Sequence, residues 1–85
     1  MQRKITSRIL TGMAIRAARE KQGLSRRELA GRLEMDYTYL WKIEHGIKPV
    51  SQDKLDAIID ALGISHYDFF ELIPAVIYPQ LLNSF

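Results

Sequence analysis

The 85-residue chain has no cysteine, which excludes disulfides, a cysteine nucleophile and any cysteine-bound metal. It also lacks an apolar run near the roughly 20 residues that a membrane-spanning helix requires. The opening segment, MQRKITSRILTGM, is basic but has no apolar core of signal-peptide length, so a cytoplasmic location is expected. No glycine-rich phosphate loop is present, and no serine stands in a nucleophile motif beside a histidine. The two histidines, His45 and His66, are isolated. Asp53, Asp56 and Asp60 share helical spacing, but no further ligand converges on them, so they read as a solvated acidic face. An enzyme is the wrong class for this composition. No catalytic residue, cofactor, metal or small-molecule ligand is expected.

Against these absences, one stretch stands out: SRRELAGRLEMDYTYLWKIEHG, from Ser25 to Gly46. Ser25 followed by Glu28 three residues later is a capping box, in which the hydroxyl takes a helix N–H and the carboxylate reaches back. Leu29, Ala30 and Leu33 continue as an apolar stripe at helical spacing. The pattern breaks at Glu34 and Met35, and Asp36 is a second N-cap. The helix it opens runs to His45, with Gly46 where a left-handed residue is wanted. Two short helices with a tight link form a helix-turn-helix, whose second helix enters the DNA major groove.

At about 100° per residue, Tyr39, Leu40, Ile43 and Glu44 share one side of that second helix. Tyr37, Thr38, Trp41, Lys42 and His45 share the other. A lone exposed aromatic is ordinary. Two aromatics with a threonine, a lysine and a histidine on one face, directly after a capped turn, form a reading surface. At the N-terminus of the first of the two helices, Ser25 and Arg26 combine backbone N–H groups, helix dipole and guanidinium, a setting that holds phosphate.

Charge is distributed unevenly. Residues 1–50 hold 11 Lys/Arg against 5 Asp/Glu, a net +6, and residues 51–85 hold 1 Lys against 5 acids, a net −4. A basic half containing the helix-turn-helix beside an acidic half without it is an electrostatic footprint of nucleic-acid binding. Arg3, Lys4 and Lys21 need do no more than solvate the chain.

Punctuation divides the chain into five helices without strands or repeats. The first spans about Thr11 to Gln22 and stops at Gly23, with Leu24 in the apolar position of a Schellman end. After the helix-turn-helix, Pro49 blocks extension of the third helix. A fourth opens at Ser51 and reaches about Leu62, stopping at Gly63. Ser65 with Asp68 caps a short fifth helix that Pro74 ends. The expected core is Ile15, Ala18, Leu24, Leu29, Leu33, Met35, Leu40, Ile43, Leu55, Ile58, Leu62, Ile64 and Phe69.

Residues from about Ile15 to Leu72 resemble the Cro/CI-type (XRE-like) helix-turn-helix domain of phage repressors and related bacterial regulators. The resemblance rests on Ile15-x-x-Ala18-Arg19, Gly23-Leu24-Ser25, Glu28-Leu29-Ala30, Leu40-x-x-Ile43-Glu44-x-Gly46 and Leu62-Gly63-Ile64-Ser65. Asp36-x-Thr38-Tyr39-Leu40 and Phe69-Phe70-Glu71 are more weakly similar to the controller proteins of restriction–modification systems. The resemblance implies an all-α, five-helix, lambda-repressor-like DNA-binding domain over residues 11–73, with an N-terminal arm at 1–10 and a short apolar tail at 74–85. It further implies that Tyr37, Thr38 and Lys42 read base edges, and that Arg19 pairs with Glu44 to lock the third helix onto the first. Trp41, counted with the base-reading residues, departs from the small or polar residue usual at its position and is expected to pack on sugar–phosphate or to lie along the groove wall. His45 and Lys48 are expected at phosphates.

One such domain covers about half an operator, so a two-fold homodimer on a palindromic double-stranded site is expected. Ala75, Val76, Ile77, Tyr78, Leu81, Leu82 and Phe85 are too apolar for a solvated tail. Pro74 and Pro79 suggest an extended or bent course for it. It folds back on its own chain or, the reading favoured here, joins the dimer interface. With no sensing domain in view, control by protein concentration is expected. The competing class is a helical protein-interaction module of the same fold, such as an antitoxin or adaptor, which salt dependence would distinguish.

Overall fold

The computed structural model describes residues 6–83, with side chains described through Val76. Five helices follow one another: α1 (Ser7–Lys21), α2 (Arg26–Leu33), α3 (Tyr37–Glu44), α4 (Gln52–Leu62) and α5 (His66–Asn83). The fold is all-α, and no helix among the described residues is long and apolar enough to cross a membrane.

Local chemistry accounts for most of the boundaries. Ser25 Oγ accepts the Glu28 N–H at 3.0 Å while Glu28 Oε1 accepts the Ser25 N–H at 3.0 Å. The bonds from Ser25, first from its backbone and then from its side chain, hold the Glu28 carboxyl below its ordinary pKa. Asp36, Ser51 and Ser65 cap α3, α4 and α5 by accepting the N–H three residues ahead. The turn between α2 and α3 places Glu34 at φ 51. The Met35 N–H closes it by donating to the Ala30 carbonyl at 2.9 Å.

Two boundaries differ from the sequence reading. First, α1 begins at Ser7, because Thr6 Oγ1 accepts the Ile9 N–H at 3.2 Å. Residues expected in an arm, Ser7 to Leu10, are therefore helical. A glycine inside a helix costs about 1 kcal/mol in propensity, yet Gly12 lies buried within α1. Packing explains it: a Cβ built there would press on the backbone carbonyl oxygens of Ile43 and Glu44. Second, α5 does not stop at Pro74 but runs to Asn83. A proline lacks the N–H and crowds the carbonyl of the preceding turn, which forfeits one bond without preventing the helix from resuming. The apolar tail is thus helical through Asn83 rather than extended. Residues 1–5 of the expected arm, and the side chains of Ile77, Tyr78, Leu81, Leu82 and Phe85, lie outside the described residues.

The core is one cluster centred on Ile15, Leu29, Leu40, Ile43, Ile58, Ile59 and Phe69, with Ala14, Ala18, Ala30, Leu24, Leu55 and Leu62 completing it. Full burial of each large side chain contributes roughly 1.5–3 kcal/mol before entropy is counted. Leu33, Met35 and Ile64, expected inside, are only half-buried at its edge, because they flank the points where α2 and α4 end. Ala14, Ala30 and Ile59 are buried in the core in addition to the residues expected there. The bundle holds α3 against both α1 and α2, leaving its outer side exposed.

Candidate nucleic-acid interface

The exposed side of α3 presents Tyr37, Thr38 and Trp41, with Lys42 and His45 half-buried beside them. Tyr37 and Trp41 remain 42% and 37% exposed. Trp41 stacks on His45 with ring centroids 4.0 Å apart and planes at 23°. The His45 Nδ1 lies 2.8 Å from the Trp41 carbonyl oxygen. The two rings form a flat wall on one flank of the face. Asp36, Thr38, Tyr39, Lys42 and Lys48 line a shallow depression of about 280 Å³. The structure therefore brings Thr38, Lys42 and Lys48 together around one depression and stacks Trp41 on His45.

Behind this face lies a network of charges. The Glu44 side chain is fully buried. Its Oε2 accepts from Arg19 Nε at 2.8 Å and its Oε1 from Arg19 Nη2 at 3.1 Å. Arg19 Nη1 also donates to the Leu24 carbonyl at 2.9 Å, which ties the α1–α2 connection to α3. Arg26 Nε joins the same carboxylate at 3.1 Å, and Arg26 Nη1 donates to the Tyr37 hydroxyl at 3.2 Å. Burial opposes the Arg26 charge, but hydrogen bonds to Tyr37 and Glu44 outweigh it, and its pKa is raised. Among the described residues, no buried side-chain nitrogen or oxygen lacks a hydrogen-bond partner.

A match to the helix-turn-helix family model covers residues 15–69. The chain belongs to the Cro/CI-type helix-turn-helix family. It is thus a DNA-binding transcription regulator. The regulator is 34% identical over 65 residues to the control protein C.BamHI of Bacillus amyloliquefaciens, a match that covers 75% of this chain and 80% of that protein. Among solved structures, the clp gene regulator ClgR from Corynebacterium glutamicum superposes with a TM-score of 0.80 at 31% identity, over 88% of this chain and 96% of that one. The restriction–modification controller protein C.Esp1396I shares the fold at 24% identity, with a TM-score of 0.78 over 88% of this chain and 99% of that one. That structure is a tetramer in complex with its natural 35 base-pair operator.

Two features of this regulator escape the sequence. Arg27 stands 5.6 Å from the centroid of the Tyr37 ring. Lys54, on α4, lies 4.6 Å from the centroid of the Tyr39 ring. The Arg26-Arg27 pair at the start of α2 was a visible signal for the first. Nothing in the sequence announces the second, since it depends on where the fold sets the start of α4 relative to α3.

Proposed function

We propose that this regulator binds a palindromic double-stranded operator as a homodimer, with α3 of each protomer in the major groove. The observation that carries the reading is the polar, aromatic and basic face of α3, exposed on an otherwise packed helix. Lys42 donates to guanine O6 or N7, and the Thr38 methyl meets a thymine methyl. Thr38 and Lys42 lie four residues apart on one face, so they enter the groove together. Trp41, stacked on His45, lies along the groove wall. Ser25 and Arg26 on one side, with His45 and Lys48 on the other, contact the backbone phosphates. Tyr37 stands at the groove mouth.

Selecting bound duplexes from a random pool tests the reading and supplies the operator. On that operator, Lys42→Ala is expected to cost about 1–3 kcal/mol and to relax preference at one or two base pairs per half-site. An unchanged affinity and preference, measured by titration of labelled duplex, would remove α3 from the groove.

Dimerisation is assigned to α5. Tyr67 and Phe70 on it are 73% and 45% exposed, and Val76 beyond Pro74 is only half-buried. Exposed apolar side chains on a helix seek a partner, and a second copy supplies the two-fold symmetry that a palindrome matches. Truncation after Ile73 leaves Phe69 in the core, so the bundle should stay folded while light scattering reports a shift towards monomer. Operator affinity should then fall at least about tenfold, because each half-site loses its neighbour's help. A truncated protein that still dimerises as well as the parent refutes the assignment.

A further inference from the structure

Tyr37 and Arg26 are the first residues of α3 and α2, so two helix N-termini converge where these side chains touch. The phenol meets two guanidinium groups. Its oxygen accepts from Arg26 Nη1 at 3.2 Å, the Arg26 guanidinium carbon lies 5.7 Å from its ring centroid, and that of Arg27 lies 5.6 Å from it. On its inner side Arg26 is anchored to buried Glu44 at 3.1 Å, and Glu44 in turn to Arg19 at 2.8 Å. A continuous run of charge-assisted bonds therefore leads from the core to the rim of the exposed face.

The charges in this run do not cancel. One carboxylate serves two guanidinia, so Arg19, Glu44 and Arg26 together keep a positive charge, and Arg27 adds another beside them. Arg26 carries five N–H donors in a rigid fork. Its bonds to Glu44 and Tyr37 occupy two of them, which leaves donors for an anion. A long arginine side chain loses much of its rotamer freedom when it is fixed. A partner that fixes it before DNA arrives removes that cost from binding. A phenol committed in this way is poorly suited to read a base independently, since reaching a base edge would break its bond to Arg26.

We infer that Tyr37 is a positioning residue for phosphate recognition: its hydroxyl and ring hold Arg26 and Arg27 toward the DNA backbone, and it reads no base. The inference rests on the proposal that the α3 face meets DNA, and it revises the role that resemblance implies for Tyr37. Because Tyr37 is uncharged, its loss has an unusual signature. Removing a neutral hydroxyl should change the salt dependence of binding.

The test uses the full-length protein and compares the parent, Tyr37→Phe, Arg26→Ala and the double variant. Each is titrated against the selected operator and a random duplex over a range of salt. Arg26→Lys, also combined with Tyr37→Phe, serves as a second background because it keeps a charge beside Glu44 if Arg26→Ala folds poorly. Tyr37→Phe is expected to weaken both duplexes alike, by roughly two- to tenfold. Its log–log salt slope should be shallower by up to about one unit, and base preference should not change. In either Arg26 background, adding Tyr37→Phe should change affinity by less than about twofold, the scatter expected of independent sites. A loss confined to the operator with an unchanged slope, the same loss with and without Arg26, or no loss at all would each overturn the inference. Failure of the underlying reading looks different: Lys42→Ala and Arg26→Ala would both leave operator binding intact, which overturns both.

Discussion

Glu44→Ala is expected to cost about 3–5 kcal/mol of folding stability, the range found when one partner of a buried ion pair is removed. Glu44 is 4% exposed as a residue and Arg19 is 7% exposed, so neither can recover solvation when its partner is lost. The substitution would leave Arg19 with the Leu24 carbonyl as its remaining bond and would strip Arg26 of its inner anchor. A small domain commands roughly 5–15 kcal/mol in total, so the variant should be partly unfolded near physiological temperature. Glu44→Gln, which preserves shape and one acceptor oxygen, should lose less. The effect differs from the net worth of the network, which is modest because burying the Arg19 and Glu44 charges is itself costly. Urea unfolding followed by circular dichroism decides the matter, and a loss below about 1 kcal/mol would show that the network is dispensable.

Gly12→Ala is expected to destabilise the protein by about 2–3 kcal/mol, although helix propensity alone predicts a gain of about 1 kcal/mol. The added methyl would meet the Ile43 carbonyl oxygen and lie 2.7 Å from that of Glu44. Both are backbone atoms at the C-terminal end of α3 and cannot rotate away as a side chain could. Relief requires α1 and α3 to separate, and the separation would pull Glu44 from Arg19. Because the two effects have opposite signs, the sign of the change in urea midpoint is decisive. A stabilised Gly12→Ala protein would mean that the helices do not approach so closely. Operator affinity should decline along with stability, since α3 is displaced as a unit.

Gly12 also marks a limit of what spacing can reveal. Spacing alone places the start of the first helix at about Thr11, with Gly12 as an unremarked residue of its first turn. The helix instead starts four residues earlier, because Thr6 caps it and the missing Cβ is needed for contact with α3. Pro74 is a second case. Its missing N–H is a local fact, but whether a helix ends there depends on everything that follows, and α5 continues. Proline weighs one bond against a whole helix.

What the chain alone determined is what its nearest neighbours determine. Capping pairs such as Ser25 with Glu28, stops at Gly23, Gly46 and Gly63, and apolar stripes at 3.6-residue spacing are interactions over a turn or less. They specify five helices and a helix-turn-helix without reference to the rest of the molecule. The exposed face of α3 was legible for the same reason, since a helical wheel sorts Thr38, Trp41 and Lys42 from Leu40 and Ile43. The partners across the fold were not. Arg26 meets Glu44 across 18 residues of sequence and Tyr37 across 11, and periodicity carries no information about which arginine reaches which acid. Only packing α2 and α1 against α3 put Arg26 between a buried carboxylate and a phenol, and so turned two expected DNA contacts into one coupled unit.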